Sequence, residues 1–185
     1  MDWLIQLDGG ALLWIQEFVR SDLLTPIVSF YTKLGDAGLM WIVLSLGMLF
    51  FKKTRKAGAA GILALILGAL CTNVVLKHLV ARPRPWLTVE GLFHLVVEND
   101  PNSFPSGHTM ASFACAGVFW HYRRDFGRWS VVLVILAALI GFSRLYLYVH
   151  FPTDVLCGAL LGLVFAALAV HLCDRAGAYR MQKSR

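Results

Sequence analysis

Charge is scarce in this sequence. Of 185 residues, 15% are Asp, Glu, Lys or Arg and 58% are hydrophobic, with a mean hydropathy of +0.65. So small a charged fraction excludes an ordinary soluble domain and points to a single integral membrane domain spanning residues 1–185. Cysteine is also sparse. Cys71, Cys115, Cys157 and Cys173 all fall inside apolar segments without metal-ligand spacing, so they read as small hydrophobes at helix interfaces, with no disulfide and no metal. No group of Asp, Glu and His has the spacing of a Mg²⁺ or Zn²⁺ site either. The opening residues M-D-W-L-I-Q-L-D lack the basic start of a secretory signal, and insertion is expected through the spans themselves. A net charge of +6 would suggest nucleic acid in a soluble protein. Here the basic residues cluster in short loops between apolar runs, which is a topology signal, and no nucleic-acid partner is expected.

What is present is a series of long apolar runs. Residues 3–19 are apolar but broken by Gln6, Asp8, Gly9, Gly10, Gln16 and Glu17, with Trp3 and Trp14 among them; this mixture suits a helix lying in the membrane interface. Residues 21–36 continue as a mixed segment, with a helix start at Thr25-Pro26 and a break near 34–38, so 1–36 reads as an interfacial N-terminal segment. Runs at 38–51, 57–80, 105–122, 129–148 and 152–173 follow, and the last contains Gly158-x-x-x-Gly162. The expected fold is all-α, a polytopic helix bundle with about five to six transmembrane helices. Residues 86–104 are a connecting loop long enough to frame a substrate entrance. Loops 52–56, 123–128 and 175–185 carry eleven of the 17 Lys and Arg residues, which places them on the cytoplasmic side and leaves 86–104 extracytoplasmic.

Three polar clusters then fall on that outer side. The last is S-R-L-Y-L-Y-V-H-F-P-T-D at 143–154. Pro152 belongs in the first turn of a helix, so His150 precedes the helix and Asp154 can reach back to the imidazole, fixing its tautomer and leaving the other nitrogen as a nucleophile or base. Arg144 offers a planar fork suited to phosphate oxygens. The same residues would also suit an interfacial Arg and a buried His–Asp pair that joins two helices. The other clusters are Lys77 with Arg84-Pro85 and Pro105-Ser106-Gly107-His108. Ser106 is a natural N-cap, and Gly107 after it lets helix amides approach an anion. Lys77, Arg84 and Arg144 balance the charge of a phosphate, and two histidines beside it allow one to attack and the other to protonate the departing oxygen.

These eleven residues, K-x6-R-P, P-S-G-H and S-R-x5-H-x3-D, resemble the three-part signature of the type-2 phosphatidic acid phosphatase superfamily. The resemblance implies that His150 is the nucleophile and forms a phosphohistidine, oriented by Asp154. It makes His108 the acid for the leaving group and later the base for water, with Lys77, Arg84, Ser106, Gly107 and Arg144 holding phosphate. No cofactor is implied. Short chains of this plan resemble bacterial undecaprenyl-diphosphate phosphatases, with phosphatidylglycerophosphate, phosphatidic acid and lipid A phosphates as rival substrates. A lipid phosphate or diphosphate and the bilayer are the expected partners; oligomeric state is open. Soluble vanadate-dependent haloperoxidases share the signature, but five long apolar runs argue against them. A lipid phosphotransferase or a phosphate-lipid binder would use the same site.

The remaining polar residues are expected to be structural. His78, His94, His121 and His171 match no motif, His94 and Glu98 suit a solvated loop with lining the entrance as the alternative, Arg82 a surface charge or interfacial anchor, and Trp86, Tyr146 and Tyr148 an aromatic belt. Ser143 is read as structural.

Overall fold

In lipid a backbone must satisfy its own hydrogen bonds, and the apolar runs fold accordingly as helices. The computed structural model describes residues 2–93, 95–96 and 98–183. Helices α1 (Asp2–Phe18) and α2 (Leu24–Lys33) precede a tight turn at Asp36–Gly38 and α3 (Leu39–Leu49). Helix α4 (Arg55–Ala69) runs through a wide π turn (Leu70–Leu76) into α5 (Lys77–Val80), and α6 (Pro85–Thr88) is a single turn. Then come α7 (Gly107–His121), the short α8 (Arg123–Phe126), α9 (Trp129–Tyr146) and α10 (Pro152–Lys183).

Among the described residues, three helical stretches are long and apolar enough to cross a bilayer: Arg55–Val80, Trp129–Tyr146 and Pro152–Ala176. The pair Leu24–Lys33 and Asp36–Leu49, bent by 44°, is a broken span, which would make a fourth crossing, or a re-entrant loop. Helix α7 has 15 residues, which at 1.5 Å each is about 22 Å, short of the hydrocarbon thickness. It is the hub of the bundle all the same. It packs against α4, α9 and α10, and none of residues 109–119 is exposed.

Small residues make that enclosure possible. A Cβ at Gly158 would lie 2.6 Å from the Ser106 carbonyl oxygen, and one at Gly162 would lie 2.5 Å from that of Met110, so the G-x-x-x-G face of α10 is its seam with α7. Trp41, Ala60, Ala64, Met110, Phe119, Ile140 and Ala169 fill the main core, where Trp41 Nε1 donates to Ser112 Oγ at 2.9 Å.

A second cluster joins α1 to the α9–α10 turn. Leu12 and Ile15 pack against Tyr146, Leu147, Tyr148, Val149 and Phe151. Tyr146 and Tyr148 are therefore buried, not placed in a lipid-facing belt, because the chain turns inward after α9 with Tyr148 at φ 57°. The Tyr146 hydroxyl accepts from the Ser21 amide at 3.1 Å. On α1 the buried Asp8, Leu12 and Ile15 oppose an exposed stripe of Trp3, Leu7, Trp14 and Phe18, as an amphipathic helix requires.

Candidate active site

The first cluster is aimed inward by irregular backbone. The π turn widens the helix just before Lys77, and Ala81 (φ 46°) ends α5 in the left-handed region. Arg84 is extended before Pro85 opens α6, and the residue is only 1% exposed. The connecting segment folds back over this stretch, with the Ser103 amide donating to the Arg82 carbonyl at 2.7 Å. His94, within that segment, lies outside the described residues.

The second cluster opens α7. Ser106 Oγ caps the helix, accepting from the Thr109 hydroxyl at 2.9 Å and its amide at 3.5 Å, while the Ser106 amide donates to the Asp154 carbonyl at 3.1 Å. At Gly107 a Cβ would stand 2.9 Å from Asn73 Oδ1, so only glycine leaves that amide open beside the π turn.

The third cluster lies between α9 and α10. Arg84 Nη1 donates to the Val149 carbonyl at 2.8 Å and approaches His150 Nε2 at 3.3 Å. Arginine only donates, so Nε2 is the unprotonated nitrogen and Nδ1 carries hydrogen. Asp154 Oδ2 is 3.7 Å from His150 Nδ1, beyond a hydrogen bond but within ion-pair range. The carboxylate is instead fixed by the Phe151 amide at 2.9 Å and Arg82 Nη1 at 2.7 Å. Burial, reinforced by Arg84 and Arg144, pushes His150 down to about 3 against the opposing pull of Asp154, so its ring is neutral at ordinary pH.

These clusters meet around a cavity of about 670 Å³. Lys77, Arg84, Gly107, His108, Arg144 and His150 line its polar end, with Asn73, Glu98 and Asp100. Ile42 and Leu46 of α3 and Ile62, Leu65, Ile66 and Ala69 of α4 line the other. Ser106 and Asp154 stand behind the wall and act through the helix start and the His150 loop. Ser143 bonds the Ile140 carbonyl at 2.6 Å and Thr32 at 3.2 Å, a packing role.

Several residues at the site have no counterpart in the sequence motifs. Glu98, expected in a solvated loop, is paired with Arg144 and lies 3.6 Å from Arg84. Burial pushes its carboxyl up, but the two guanidiniums outweigh this and hold it below the usual range. Asp100 binds Lys77 at 2.5 Å, and Asp36 lies 2.9 Å from His108 Nε2. Arg82 is no surface charge: it joins Asp154, Asp8 (2.8 Å) and Thr153 (2.7 Å), and stacks 3.9 Å from the Phe151 ring. The available signal for Asp8 was a carboxylate inside an apolar run.

A membrane-embedded helical bundle with a cationic, two-histidine pocket opening onto an apolar groove is the architecture of a membrane enzyme acting on anionic lipid head groups. The family model of the PAP2 superfamily matches residues 58–178, and the chain belongs to that superfamily. It is 31% identical over 150 residues to an undecaprenyl-diphosphatase of Sulfolobus acidocaldarius, covering 80% of this chain and 70% of the relative. Among solved structures it resembles a PAP2-type phosphatidylglycerolphosphate phosphatase from Bacillus subtilis, with a TM-score of 0.77 and 28% identity over 95% of this chain and 88% of that one. It also resembles LpxE of Aquifex aeolicus, with a TM-score of 0.72 and 29% identity over 91% and 93% of the two chains. The chain is thus an integral membrane protein of a lipid phosphatase family.

Proposed function

We propose that this protein hydrolyses a lipid phosphate or diphosphate through a phosphohistidine, with undecaprenyl diphosphate as its substrate and the lipid monophosphate and inorganic phosphate as products. The observation that carries this is the two-ended cavity: two imidazoles and three cations at one end, aliphatic side chains of α3 and α4 at the other. A phosphate fits the first and a hydrocarbon tail the second.

His150 Nε2 attacks phosphorus, the bond from phosphorus to the bridging oxygen breaks, and His108 gives that oxygen a proton. Lys77, Arg84, Arg144 and the Gly107 amide take up the charge on the equatorial oxygens, with Ser106 setting the helix start and Asp154 steadying the His150 loop. Water then attacks the phosphohistidine while His108 recovers its proton, and phosphate leaves with His150 restored. A lipid acceptor in place of water would make the same site a phosphotransferase. The basic charge of the loops at the opposite end supports an extracytoplasmic site.

Relatives named as an undecaprenyl-diphosphatase, a phosphatidylglycerophosphatase and a lipid A 4'-phosphatase stand at 31%, 28% and 29% identity, so a substrate panel is the test. Purified protein in detergent is expected to release phosphate from undecaprenyl diphosphate faster than from phosphatidylglycerophosphate, phosphatidic acid or lipid A. The rate should persist in saturating EDTA and fall on the order of 10³-fold or more in His150→Ala. Preference for another lipid would change the substrate assignment, and full activity in His150→Ala would overturn the mechanism.

A further inference from the structure

The turn between α2 and α3 brings to His108 a carboxylate that no part of the signature contains. Asp36 Oδ1 lies 2.9 Å from His108 Nε2. The local sequence G-D-A-G makes this contact possible. Gly35 sits so close to the ring that a Cβ there would meet His108 Cδ2 at 3.1 Å and Ile140 Cγ2 at 3.3 Å. Ala37 and Gly38 then take φ values of 50° and 70°, a left-handed pair that alanine rarely enters and that folds the chain over the start of α7. A Cβ at Gly38 would stand 3.5 Å from Ala111 Cβ, one turn further along that helix. The turn is therefore seated against α7, and Gly35, Ala37 and Gly38 form part of the cavity wall. Burial, the largest influence, and Arg144 on α9 oppose an imidazolium at His108 and hold it below the ordinary imidazole value, while Asp36 and Glu98 of the connecting segment pull the other way.

A leaving-group acid must carry a proton in a pocket that already holds three cations. Resting on the role proposed above for His108, the geometry points to Asp36 as a positioning residue that favours the imidazolium form of His108 needed at the leaving-group step: its carboxylate accepts from Nε2–H, and Nδ1–H is left to protonate the departing oxygen. Asp36 touches neither phosphorus nor that oxygen. Its effect must therefore scale with how much the leaving group needs a proton. An alkoxide needs one, whereas a nitrophenolate departs without help.

The test compares two phosphomonoesters of matched tail, dodecyl phosphate and 4-dodecyl-2-nitrophenyl phosphate, with the wild type, Asp36→Asn, Asp36→Glu and His108→Ala in detergent. Asp36→Asn is expected to slow the alkyl ester about 10- to 100-fold and the aryl ester less than about 3-fold, with Asp36→Glu recovering part of the alkyl-ester rate. His108→Ala should give the same selectivity more strongly. Equal slowing of both esters by Asp36→Asn, or no slowing of either, while His108→Ala remains selective, would overturn the role of Asp36 alone. Loss of selectivity in His108→Ala itself would remove the acid role of His108, and the present inference with it.

Discussion

Arg82 ties two helices together beside the site. Its fork ties Asp154 at the start of α10 to Asp8 on α1 while its flat face covers Phe151. Removing it strands two buried carboxylates. Arg82→Ala is expected to cost about 3 kcal/mol, which for a chain of this size lowers the unfolding midpoint by roughly 6–12 °C. Thermal unfolding in detergent, followed by tryptophan fluorescence, checks this, and Arg82→Lys should recover little because an ammonium cannot bridge both carboxylates. His150 and Asp154 could be read together from sequence because only three residues, with a proline among them, separate them. Arg82 could not, because its partners lie 74 and 72 positions away and only the fold brings them near. Glu98 and Asp36 were hidden for the same reason: an acidic residue in a polar loop looks solvated until the cation it faces is known.

The seam between α7 and α10 sets where both histidines stand, since Ser106 before His108 and Asp154 after His150 are joined across it by a backbone hydrogen bond. Gly162→Leu would force a side chain onto the Met110 carbonyl and the Ala114 amide, backbone atoms that cannot step aside. A loss of about 1–3 kcal/mol is expected, with phosphatase activity falling alongside, as measured by thermal unfolding and phosphate release. Gly47→Ala on α3, where nothing lies within 4 Å, should leave both unchanged or slightly improved. The helices themselves were legible as apolar runs, and the break at 34–38 as a Gly-Asp-Ala-Gly cluster. The π turn was not, because Thr72 and Asn73 interrupt an otherwise apolar run at 70–76 without a proline or glycine to mark a change in helix geometry. Only packing against Gly107 reveals why Asn73 is turned into the cavity.

Across the whole molecule the basic loops and the acidic, site-bearing segments lie at opposite ends of the bundle. That asymmetry predicts an accessibility pattern. With the four native cysteines replaced, a single cysteine at Glu90 is expected to react with an impermeant thiol reagent in intact cells, and one at Arg124 to stay unlabelled until the cells are opened. The reverse pattern would invert the protein and bring the site inside. Fold class was readable because composition alone demands a bilayer. The number of crossings was not, since α7 is shorter than a lipid-exposed span, and what makes it viable is the company of α4, α9 and α10.

That enclosure bears on how the protein responds to its lipid surroundings. A thicker or thinner bilayer exerts hydrophobic mismatch on the helices that touch it, and the long stretches Arg55–Val80 and Pro152–Ala176 can absorb this by tilting. Along residues 109–119, α7 presents no exposed side chain to the acyl chains and so feels the mismatch only through its neighbours. The helix that carries His108 is thereby insulated from the thickness of the membrane in which it works.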